Sequence, residues 1–215
     1  MRWSKFVRSA PPGPLVMIGK TERTLKRNVL DPMADTFGSR RVKLSSGAGE
    51  ATIFGRRVYT VGANDRRAEE KIRGMTIVGA YCDELSLYSA DYMRMVTSRM
   101  RVDGAQMFAT TNPDSMLHFL YTDYLERAAY HLTGDGQVLR KSGPDVLDLA
   151  RFSFRLTDNT HLPAAYVAEI EREYVGLWRR RFILGEWVMA EGVVYDMFSP
   201  DVHVVADVPE IDTFY

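Results

Sequence analysis

The feature that most restricts this chain is the run Thr76-Ile77-Val78-Gly79-Ala80-Tyr81-Cys82, which carries no charge and stops at two adjacent acids, Asp83 and Glu84. A run of this length is too short for a stable helix. Unbroken by polar residues, it reads as a strand buried on both faces, the kind found in parallel sheets flanked by helices. A second run, Ala105 to Thr110, has the same character and ends in Thr111-Asn112-Pro113. Between them Ser89 to Arg99 reads as a helix, so the two strands belong to one strand-helix-strand unit and their polar tips fall side by side.

The rest of the chain repeats this alternation. Trp3, Phe6 and Val7 have helical spacing before Pro11-Pro12-Gly13-Pro14, which predicts a helix over 2–10. Leu15 to Ile18 is a short strand, and Leu25, Val29 and Met33 recur every four residues in a helix led by Thr21 and closed at Phe37-Gly38. Residues 51–54 and 57–61 read as paired strands, 65–72 as a polar helix and 117–130 as a helix. Residues 134–149 read as loop and 151–156 as a last strand. Two short helices follow over 163–184, broken at Gly176, and 192–215 reads as an extended linker. Such an order predicts a doubly wound, mainly parallel α/β sheet, in which ligands gather at the carboxyl ends of the strands.

With 46% apolar residues, 28 Lys and Arg against 28 Asp and Glu, and a single cysteine, Cys82, the composition excludes disordered chains and disulfide scaffolds. The lone thiol fits a reducing compartment. Neither a signal-peptide core nor an apolar run near the roughly 20 residues that span a bilayer is visible, so the expectation is a cytoplasmic protein without a membrane role. Residues 1–27 hold seven basic residues and one acid, whereas 185–215 hold seven acids and no Lys or Arg. A basic arm can meet nucleic-acid phosphates, but a solvated helix face accounts for the same charges, as it does for Arg179-Arg180-Arg181.

Three places carry chemistry. Gly19-Lys20-Thr21 suggests a phosphate-binding loop, yet the motif G-x-x-x-x-G-K-[ST] fails here. Five residues separate Gly13 from Gly19, and they form a strand, so a strand end plus a helix cap is the better reading. Asp83-Glu84 closes an apolar strand as in nucleotide hydrolases, where one acid holds the Mg²⁺ shell and the next takes a proton from water. Thr110-Thr111-Asn112 supplies hydroxyl and amide groups at the neighbouring tip. His118, His131, His161 and His203 show no metal-ligand spacing, and core or surface roles suffice for them.

Taken together, TIVGAYCDE, FATTNPDSMLHFLY and NTHLPAAYVAEIEREYVGLWRRRFILGEWVMAEGVVYDMF, in this order, resemble the ATPase region of bacteriophage terminase large subunits. The resemblance implies a P-loop NTPase-like fold and a ring ATPase using ATP and Mg²⁺. Such a motor works in the host bacterial cytoplasm and transiently on the procapsid portal, with portal protein and small terminase subunit as partners. It drives double-stranded DNA into the procapsid and cuts it with a separate nuclease domain. Carried over by position, Asp83 is the Mg²⁺-associated acid, Glu84 the general base, and Thr110, Thr111 and Asn112 the coupling motif. Arg99 and Arg101 are candidates for an arginine finger, although for either one alone a surface salt bridge is the better reading.

The resemblance also implies that the phosphate loop falls before Met1, leaving residues 1–190 as an N-terminally truncated ATPase-like domain with lid helices near 163–184. Residues 191–215 then lead toward a nuclease domain absent here. The loss of a first strand implies an unpaired sheet edge and a tendency to aggregate. Two other readings stay open: a helicase-like ATPase, and a non-catalytic prophage remnant or assembly module.

Overall fold

The computed structural model describes residues 2–45, 49–64 and 66–189. The linker expected over 191–215, with Asp196 and His203, lies outside them. A six-stranded sheet runs in the order β2-β3-β4-β1-β5-β6, with strands Leu15–Gly19 (β1), Val42–Leu44 (β2), Glu50–Ile53 (β3), Arg56–Gly62 (β4), Gly79–Cys82 (β5) and Gln106–Ala109 (β6). β4, β1, β5 and β6 are parallel; β2 and β3 add an antiparallel margin.

Along β1 alternate residues feed opposite cores, as period-2 strand geometry requires. Leu15 and Met17 pack with α1 (Arg2–Ser9) and with Leu25, Val29, Leu30 and Met33. Val16 and Ile18 pack on the other face with Ile72 of α4 (Arg66–Arg73) and with Tyr92, Met93 and Val96 of α5 (Ala90–Ser98). Helices on both faces make the sheet doubly wound. The Thr21-led helix forms as α2 (Glu22–Leu25), a π-helical turn Lys26–Leu30 and α3 (Asp31–Phe37), stopped at Gly38, whose φ of 85° suits a residue without Cβ. α1 lies directly on β5 because Gly79 presents no side chain there; a Cβ at that position would meet Phe6 Cε1 at 2.5 Å.

Three expectations fail in one region. The helix over 117–130 ends early: only a π-helical segment Leu120–Leu125 forms, and Ala128–Leu132 is strand β7. The loop 134–149 contains β8 (Val138–Arg140), and the last strand is β9 (Leu147–Phe152). These three make a separate sheet, ordered β8-β7-β9, in place of another strand on the central one. Asp135-Gly136 turns β7 into β8, and β7 runs parallel to β9. Beyond it lie α6 (Ala164–Glu173) and α7 (Gly176–Trp178), the latter continuing as a π-helical turn Arg179–Ile183, so the break at Gly176 is as expected.

Candidate functional site

β5 and β6 are paired in register from Gly79–Gln106 to Cys82–Ala109, so their carboxyl tips emerge together. Asp83 extends β5, its N–H bonded to Ile18 O at 2.8 Å, and its side chain is buried at 9% exposure. The Oδ1 of Asp83 accepts from Thr110 Oγ1 at 2.8 Å and from the Tyr81 hydroxyl at 3.4 Å. Its carbonyl accepts from the buried Tyr88 hydroxyl at 2.9 Å. Burial pushes the Tyr88 hydroxyl far up and that of Tyr81 up to about 12, so both remain protonated donors at neutral pH. Burial, then the charge of Asp83, lifts the Cys82 thiol to about 12, which makes it an inert core group.

Glu84 turns the chain away from the sheet in a left-handed conformation, φ 53° and ψ 49°. Three successive amides of this turn are held by the tip of β6. Glu84 N–H donates to Thr110 Oγ1 at 3.4 Å, Leu85 N–H to Thr110 O at 2.8 Å and Ser86 N–H to Thr111 Oγ1 at 3.1 Å. The acids and Thr110-Thr111 thus form one nested unit. Asn112 follows as an exposed residue whose carbonyl accepts from Thr111 Oγ1 at 3.1 Å.

The arginines lie elsewhere. Arg99 O accepts the Ile77 N–H at 2.9 Å, which puts Arg99 at the amino end of β5, about 20 Å from Asp83 by strand rise. Half-buried Arg99 leaves its Nε without a hydrogen bond among the described residues. Arg101, exposed, sits at the same end. Neither joins the acids within one chain. At Gly19-Lys20-Thr21 the strand ends and Thr21 caps the helix, its Oγ1 accepting from Thr24 N–H at 3.1 Å. Of the arginine triplet, Arg180 pairs with Glu186 at 2.8 Å and Arg181 with Asp114 at 3.2 Å.

Tyr81, Tyr88 and His118 belong to this site and no motif in the sequence marked them; Tyr81 and Tyr88 reach Asp83 from two and five residues away, whereas His118 acts through a contact made across the fold. His118 Nε2 lies 3.1 Å from Ser86 O, and its ring is packed between Phe119 and Trp187.

The chain matches the family described as terminase large subunit, T4likevirus-type, N-terminal, over residues 3–199. It belongs to the terminase large subunit family. Among solved structures, the large terminase of a thermophilic bacteriophage is 30% identical over 95% of this chain, with a TM-score of 0.68. The same terminase in complex with ATP-γ-S is 31% identical at the same TM-score. The chain spans 48% and 47% of those two chains, about half their length. The Thermus phage P74-26 large terminase ATPase domain shares the fold, with a TM-score of 0.59 at 12% identity, covering 86% of this chain and 81% of that one. No curated protein matches the chain. The terminase fold here is that of a P-loop NTPase, and nucleotide binding is a property of the family.

Asp83 fits a Mg²⁺ shell. Mg²⁺ keeps most of its waters and takes only one or two carboxylates, and Asp83 offers one fixed carboxylate whose Oδ2 takes none of the hydrogen bonds that hold Oδ1.

Proposed function

We propose that this terminase region supplies the metal and water side of an ATPase site that powers DNA packaging. The observation that carries the reading is the nesting of Asp83-Glu84 in the Thr110-Thr111 tip. Asp83 would hold Mg²⁺, Glu84 would accept the proton of the attacking water, and Thr110, Thr111 and Asn112 would link hydrolysis to movement. Mg²⁺, when bound with ATP, neutralises the charge on the phosphoryl oxygens. The αL turn carries Glu84 off the end of the strand, and the bonds to Tyr88 and Thr110 hold that turn. Arg99 and Arg101, at the far end of the strands, act in phosphoryl transfer only in trans, on a neighbouring subunit. In the whole motor we assign double-stranded DNA, portal protein and small subunit as partners of a ring, acting in the host cytoplasm, with DNA cleavage outside the described residues.

The 215 residues contain no G-x-x-x-x-G-K-[ST]. Turnover of Mg-ATP by the chain alone is therefore expected at background, because carboxylates without a phosphate cradle do not hold the nucleotide. Joined to a segment carrying that loop, the chain should hydrolyse ATP, and Glu84→Gln should lower kcat by about 10²- to 10⁴-fold. Restored turnover indifferent to Glu84→Gln would overturn the assignment of the base. No restored turnover at all would favour the other reading, a non-catalytic assembly module.

A further inference from the structure

The short turn Leu85–Leu87 is gripped on both sides of Ser86. Its N–H goes to the β6 tip through Thr111, as described, while its carbonyl takes no backbone donor among the described residues. That carbonyl is met instead by His118 at 3.1 Å. The partners of the ring fix which nitrogen carries the proton. His118 Nδ1 accepts Leu120 N–H at 3.1 Å, so Nε2 bears the hydrogen and donates to Ser86 O. The same ring lies 6.0 Å from Trp187, which is only 8% exposed and also packs on Tyr121 at 5.5 Å. Trp187 is brought there by Gly185, whose φ of 69° and close approach to Phe154 O admit no side chain. The segment is then pinned by Val188 N–H to Asp114 O at 3.1 Å.

We propose that His118 is a positioning residue that ties the Glu84 turn to the segment leaving the domain through Trp187. The inference rests on Glu84 as the catalytic base and goes beyond it. Displacing Trp187 displaces the imidazole, the imidazole carries the Ser86 carbonyl, and Glu84 lies two residues away in a conformation that survives only while its neighbours are held. The imidazole therefore couples the active-site turn to the Trp187 segment, beside the Asp114 and Tyr121 contacts that hold that segment in place.

Amide hydrogen exchange of the full chain, with the Trp187 indole followed by NMR, tests this independently of ATP turnover. Asparagine can place an acceptor where Nδ1 lies but cannot reach Ser86; glutamine can place its amide NH₂ near Nε2. His118→Ala and His118→Asn should both speed exchange at Leu85 and Ser86 by about 10-fold, the loss of one hydrogen bond, while the amides of β1 and β4 keep their protection. His118→Gln should restore it. Trp187→Leu should loosen the same amides, with no additional effect in the His118→Ala background. Protection in His118→Asn equal to wild type reduces His118 to a local cap on Leu120 and overturns the proposal. So does unchanged exchange in His118→Ala, or loss spread equally over β1 and β4. Should Glu84→Gln prove harmless to turnover while these exchange effects appear, the ATPase assignment fails and the tie remains.

Discussion

Glu84 occupies a backbone region that glycine enters freely and other residues enter at roughly 1 kcal/mol or more. Its amide and the next two are tied to Thr110 and Thr111, so the strain is balanced by hydrogen bonds that exist only when β6 is in place. Glu84→Gly should relieve it and raise stability by about 0.5 to 1 kcal/mol, roughly 1 to 4 °C in Tm, in a chemical or thermal melt. A loss of stability would mean that the carboxylate itself holds the turn. Asp83 and Glu84 were legible because charge placed at the very end of an apolar strand is seldom incidental. His118 was not, since a hydrogen bond spanning 32 residues, as between His118 and Ser86, leaves no trace in local spacing.

Among the elements, the parallel strands and the helices over them follow from unbroken apolar runs and four-residue repeats, and these were readable from Leu15, Leu25 and Thr76 onward. The second sheet was not. Its strands bury little: β8 is exposed throughout, β9 alternates half-buried with exposed residues and carries Asp148 and Arg151, and so no continuous apolar run announces them, although Asp135-Gly136 is a hairpin signal that outweighed the loop reading in the fold. The three-residue β2 is too short to carry any pattern. Within the second sheet His131 Nε2 lies 2.9 Å from Ser153 Oγ, and burial, with Arg151 and Lys141 nearby, lowers its pKa. A lowered folded-state value means that the unfolded chain binds the proton more readily, so stability rises with pH across this titration and is lost as pH falls below about 6.5. Unfolding measured between pH 7 and 5 should show that loss, and His131→Asn should flatten it.

At the scale of the molecule, the two margins of the central sheet differ. β2 is short and presents exposed Lys43 after Arg40 and Arg41. β6 carries no charge, and because Gln106 and Thr110 donate to β5, period-2 geometry turns the amides of Met107 and Ala109 to the open side. The chain should self-associate through β6 at high concentration, seen by light scattering coupled to size exclusion. Ala109→Pro should suppress this without unfolding, since proline there removes only an outward N–H, whereas Phe108→Pro should break the sheet. A monomeric wild type would refute the expectation. Charges guard the opposite border, which gives this tendency a natural stop: two copies meeting edge to edge exhaust the sticky side of each, so the product is a closed pair and no filament can grow from it.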